Sequence, residues 1–138
     1  MAVSDLSELL KRMEPELKEG RCYVATADRS QLVALANYLD YVLCVFREEE
    51  GLTVVFSGEI KDEIREITEK EVVGPFALIT LTVHSDLLAV GFLARITEAL
   101  AKEKISVNAF SAYHHDHLLV PFKRKDDTLR ALKKLSER

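Results

Sequence analysis

The stretch TVHSDLLAVGFLARI, residues 82 to 96, changes hydrophobic period in its middle. Its first residues alternate as in a strand and its last repeat as in a helix, with Ser85 and Asp86 at the junction and Gly91 soon after. A helix start presents backbone N–H groups without intrahelical partners, together with a partial positive charge. A turn of this kind can hold a carboxylate. Gly91 has no Cβ, so a ligand or a neighbouring backbone can approach closely. The same residues also read as simple capping, with Ser85 or Asp86 closing the helix start and Gly91 as a packing residue.

A second polar group, His114, His115, Asp116 and His117, has the residue types of a metal site, and His84 adds a further imidazole. Successive side chains in a strand or turn diverge to opposite faces, so no more than a pair of the four converges. That geometry favours a polar turn gating a ligand over a metal centre. Imidazoles near their ordinary pKa of about 6.5 then give binding some pH dependence.

Other chemistry has little support. The sequence lacks a Gly-rich phosphate loop, a G-x-S-x-G elbow and an H-E-x-x-H pair, so no enzyme and no cofactor are expected. Net charge is −4, which argues against a nucleic-acid footprint. The one basic stretch, Lys123, Arg124 and Lys125, is followed at once by Asp126 and Asp127 and reads as a solvated helix entrance. No apolar run reaches the roughly 20 residues of a membrane helix, and the N-terminus is amphipathic and acidic rather than signal-like. A cytoplasmic protein is the expectation. Cys22 and Cys44 lie in apolar alternating runs without C-x-x-C spacing and read as reduced core residues.

The elements that position these residues follow from periodicity. Residues 4 to 18 read as a helix with Leu6, Leu9, Leu10, Met13 and Leu17 on one stripe, closed by Gly20. Residues 21 to 27 read as a strand and 30 to 39 as a short helix. YVLCVFREEEGLTVVF reads as a hairpin with a charged tip at Glu48, Glu49, Glu50 and Gly51. Ile60, Ile64 and Ile67 mark a helix, and residues 74 to 83 a central strand. A helix to about Lys102, strands over KISVNAFSAY and DHLLVPF, and a last helix over KDDTLRALKKL complete a β-α-β-β-α order.

At a constant offset of 66, LTVVF (52–56) lies on LLVPF (118–122) and the EEEG tip on the histidine turn. The hairpin-plus-helix unit thus occurs twice, giving two half-similar α+β modules, residues 1–73 and 74–138. Each is expected to be ferredoxin-like, a βαββαβ-type antiparallel sheet covered by helices on one face. Only Ser136, Glu137 and Arg138 follow the last helix, so the closing strand of the second module must come from elsewhere, with the N-terminal half as its source.

VGFLARITEALAKEKISVNAFSAYHHDHLLV resembles the ACT domain, a small regulatory module that binds amino acids, in its aspartokinase-like form. The carrying features are Val90-Gly91-Phe92-Leu93-Ala94 at the helix start and Ile105 to Asn108 in the next strand. The turn SAYHHDHLLV is similar to that of paired-ACT arginine sensors. The commoner Asp-x-Pro-Gly loop is replaced here by Ala89-Val90-Gly91.

The resemblance implies a small amino-acid-binding regulatory protein of two modules without a catalytic domain, working as an allosteric homodimer. It implies a zwitterion held at His84, Ser85, Asp86 and Gly91, with Leu87, Leu88, Val90 and Phe92 as apolar walls. Asn108, the backbone near Ala112 and Tyr113, and the carboxylate of Asp116 would complete the site. The competing readings are an interaction adaptor with the same fold and no ligand, and a metal-dependent enzyme using residues 114–117.

Overall fold

The structure, a computed structural model, describes residues 2–137. In chain order its elements are α1 (Leu6–Lys11), β1 (Pro15–Leu17), β2 (Cys22–Ala27), α2 (Leu32–Ala36), β3 (Val42–Glu48) and β4 (Gly51–Ser57). Then come α3 (Lys61–Thr68), β5 (Val73–Leu81), α4 (Phe92–Lys102), β6 (Asn108–Ser111), β7 (Asp116–Pro121) and α5 (Lys125–Ser136). The chain forms two compact units, residues 20–76 and residues 1–19 with 77–138. Both are α+β. Strand Val73–Leu81 gives residues 73–76 to the first and 77–81 to the second.

In the unit of residues 20–76 the strand order is β3-β4-β2-β5, antiparallel throughout. The hairpin forms as its sequence suggests: Glu48 pairs with Gly51, so Glu49 and Glu50 are the turn. Alternate residues Ala25 and Ala27 of β2 and Leu52, Val54 and Phe56 of β4 share one face, where they bury against Leu35, Ile60 and Ile64 of the helical segments. The 30–39 helix is shorter than expected: a 3₁₀ turn at Arg29–Gln31 leads into the five residues of α2.

The unit carrying the C-terminal half has the strand order β1-β5-β7-β6. This is a ferredoxin-like sheet whose closing strand comes from the start of the chain. Pro15, Glu16 and Leu17 pair antiparallel with Leu81, Thr80 and Ile79. Ala77, Ile79 and Leu81 of β5 and Leu118 and Val120 of β7 face the helices, burying with Ile96, Leu100, Leu132 and Leu135. The repeat persists at the level of elements: β4, a 3₁₀ turn and α3 in one unit match β7, a 3₁₀ turn and α5 in the other.

Two sequence expectations are corrected. The helix over residues 4–18 stops at Lys11. Pro15 has no N–H for the helical ladder and its ring would clash with the carbonyl of Lys11, so the chain turns at Glu14 (φ 41°) and becomes a strand. The strand over KISVNAFSAY begins only at Asn108. Its first residues instead close α4: Lys104 is left-handed (φ 57°), its N–H donates to the Ala101 carbonyl at 2.9 Å, and Ile105 N–H donates to the Leu100 carbonyl at 3.0 Å. This is a Schellman ending, and Leu100 and Ile105 supply its apolar contact within the core. Arg124 also donates to the Glu103 carbonyl there at 3.2 Å, so part of the basic stretch is structural.

Among the described residues no helix is long and apolar enough to cross a membrane. Both cysteines are free: Cys22 is buried, which raises its thiol pKa, and Cys44 is half-buried.

Candidate functional site

The junction between β5 and α4 is held from the N-terminus. Val3 N–H donates to the His84 carbonyl at 2.7 Å, and Asp86 N–H donates to the Val3 carbonyl at 2.8 Å. Residues 84–86 are therefore fixed as a short parallel bridge, with Val3 opposite Ser85. Asp86 then organises the loop. Its Oδ1 accepts from Leu88 N–H at 2.9 Å and its carbonyl from Ala89 N–H at 3.0 Å, a local turn of the kind Asp side chains favour.

Helix α4 begins without a side-chain cap. Gly91 is its N-cap residue, in the left-handed region at φ 93°, and among the described residues no side chain caps the first turn. The first helical bond is from Arg95 N–H to the Gly91 carbonyl at 3.0 Å. The N–H groups of Phe92, Leu93 and Ala94 precede that bond and have no carbonyl within the helix to receive them. A Cβ at Gly91 would stand 3.4 Å from Cδ2 of Leu6, so glycine is required by the backbone angle more than by crowding.

This entrance opens onto a cavity of about 160 Å³. Ser85 and Asp86 line it from the loop, Gly91 to Ala94 from the helix start, and Ser111 and Asp116 from the β6–β7 hairpin. Leu87 and Ala89 complete the lining. Asp116 is only 7% exposed, and Ser85 Oγ donates to its Oδ2 at 3.0 Å. Asp116 sits opposite Ser111 in the hairpin, which is why both reach the cavity.

Of the residues singled out from sequence, Ser85, Asp86, Leu87, Gly91, Phe92 and Asp116 come together here. The others lie elsewhere. Leu88 and Val90 are 86% and 84% exposed and form no wall. Asn108 is exposed on β6, paired with Leu119. Ala112 closes the hairpin turn, its N–H donating to the His115 carbonyl at 3.0 Å. Tyr113 is exposed and sets its ring edge-on to His114, 4.9 Å between centroids.

Ala89, Leu93, Ala94 and Ser111 line the cavity without having been expected to. Leu93 and Ala94 were within reach of the sequence, since the free amides of a helix start belong to its first turn rather than to the preceding loop.

The four histidines of the chain form a run of neighbouring rings and do not line the cavity. His84 lies 5.3 Å from His114 and 6.4 Å from His115, and His115 lies 6.3 Å from His117, centroid to centroid. Among the described residues no three His, Cys, Asp or Glu side chains are placed to hold a metal ion. His117 Nδ1 shares a hydrogen bond with Thr80 Oγ1 at 2.9 Å. Burial, and then the nearby charge of His115, lower its pKa below the usual imidazole value, against an opposing pull from Asp116.

Comparison with known proteins bears on the whole chain. Models of the ACT domain match residues 1–63 and 74–134. A search of curated proteins finds no match. Among solved structures, a Vibrio cholerae protein of unknown function, named a possible transport protein, is 37% identical, covers 95% of each chain and superposes with a TM-score of 0.76. The regulatory subunit of aspartate kinase from Thermus thermophilus, in its ligand-free form, is 12% identical over 91% of this chain and 98% of its own, with a TM-score of 0.69. Its counterpart from Thermus flavus is 12% identical over 88% and 95%, with a TM-score of 0.66.

Proposed function

Since this chain belongs to the ACT domain family, we propose that it is a regulatory protein without catalytic activity that binds a free amino acid at the entrance of α4. The observation that carries this reading is one arrangement: uncapped N–H groups of an 11-residue helix and the buried carboxylate of Asp116 line the same small cavity. The two charges of a zwitterion find opposite partners there. The α-carboxylate takes the amides of Leu93 and Ala94, where the helix dipole adds its partial positive charge. The ammonium donates to Asp116, whose remaining lone pairs no other side chain among the described residues uses.

Binding regulates by differential affinity. A ligand at this point bridges the 84–91 loop, the start of α4 and the β6–β7 hairpin, so it favours whichever arrangement keeps those three segments together. We place the boundary between the two modules in the sequence at residue 73, with β1 supplying the closing strand of the second, and expect a cytoplasmic homodimer. Isothermal calorimetry against all twenty amino acids tests the reading. Saturable heat from at least one is expected; no heat and no thermal stabilisation across the set leaves an adaptor with the same fold.

A further inference from the structure

The lining of the cavity narrows the class of amino acids that fits. Two of its side chains are ionisable, and both are carboxylates, Asp86 and Asp116. Asp116 is more than nine-tenths buried and, among the described residues, has only the Ser85 hydroxyl as a side-chain donor. Against these two full negative charges the start of α4 sets about half a positive charge. The site can therefore neutralise one ligand carboxylate at the helix amides and has no cation for a second. The remaining side chains of the lining are uncharged.

Resting on the amino-acid reading, we infer that this site selects neutral amino acids, such as glycine, alanine, serine or threonine, over the dicarboxylic ones. The discrimination is electrostatic. A second ligand carboxylate at a separation of about 6 Å from Asp116 would meet a repulsion that, in a partly wet site, is worth on the order of tenfold in affinity. Asp116 is thus both the anchor for the ammonium and the residue that sets charge preference. Asp86 contributes less, because its Oδ1 is occupied by Leu88 N–H and it is only half-buried.

Calorimetry at pH 7.5 with glycine, alanine, serine, threonine, aspartate and glutamate tests this on the wild-type chain and on Asp116→Asn. Asparagine can still accept from Ser85, and a thermal melt confirms that the variant folds. At least one neutral ligand binds ten or more times tighter than either dicarboxylate, and Asp116→Asn narrows that gap to about threefold or less while weakening the neutral ligand. Asp86→Asn, further from burial, gives the same trend at smaller size and replaces the first variant if that one does not fold. Aspartate or glutamate binding as tightly as the neutral set overturns the selectivity alone, as does a gap that both variants leave unchanged. Silence from all six, with the same silence from the other fourteen, overturns the amino-acid reading and the selectivity together.

Discussion

Ser85 and Asp116 are 31 positions apart in the chain and share a hydrogen bond of 3.0 Å, the hydroxyl donating to a carboxylate that is almost wholly out of water. The bond ties the loop before α4 to the β6–β7 hairpin. It also gives a buried carboxylate its one side-chain donor among the described residues, so removing it takes away a partner that little solvent can replace. Ser85→Ala should cost about 1–3 kcal/mol of stability, read by urea unfolding. A loss below a few tenths would show that the carboxylate is solvated and the tie unimportant.

Gly91 is at φ 93°, where a side chain is strained whatever the space around it. Gly91→Ala should cost about 1–2 kcal/mol, and Gly91→Val more, because its branched Cβ also approaches Leu6. Equal stability of wild type and Gly91→Val would mean that the helix entrance rearranges freely, and a preformed site there would be lost as an idea.

The repeat suggests a second site at the matching turn of the N-terminal half, and the structure argues against one. There Gln31 Oε1 accepts from Asp28 N–H at 2.9 Å while its Nε2 donates to the Ile67 carbonyl at 2.7 Å. The entrance is closed by its own glutamine, and α2 behind it is only five residues long. Calorimetric titration should give one ligand per chain. Two per chain, with the second abolished by changes in residues 28–31, would contradict this.

Stability should fall in mild acid, and His117 is part of the reason. Its folded pKa is lowered by burial and by His115, with Lys18 acting in the same sense and Asp116 against it. The unfolded chain therefore takes up the proton more readily, so stability is held above about pH 6.5 and lost as pH falls through the lower folded value. Urea unfolding of wild type and His117→Gln at pH 7.5 and 5.5 isolates the effect, because glutamine can keep the bond to Thr80. The wild type should lose more stability between the two pH values than the variant, and equal losses would remove His117 from the account.

Much of this architecture was legible before any coordinates. The second half's β-α-β-β-α order, the charged hairpin tip and the helix marked by Ile60 and Ile64 follow from periodicity and turn residues, because each element buries one face locally. Failures arose where a local pattern was overridden. Leu17 sits on the helical stripe of the N-terminus, yet Pro15 makes it a strand residue paired with Ile79. Ile105 looks like a strand residue and instead seals the end of α4.

At the site, loop residues have no period to read. Leu88 and Val90 looked like walls from their type and stand in solvent, whereas Ser111 reaches the cavity only because the hairpin register sets it opposite Asp116. Asp116 was recognisable by type, but its burial depends on Ser85, 31 residues away.

The claim under the whole account is that the free amides at the start of α4 receive the ligand's carboxylate. Backbone amide NMR during titration with the tightest-binding amino acid reads this directly. The account predicts that the resonances of Leu93 and Ala94 move most and saturate with the calorimetric affinity, and that they stop responding when the ligand's carboxylate is replaced by an amide. Saturable binding that leaves those two resonances in place and shifts others would contradict it.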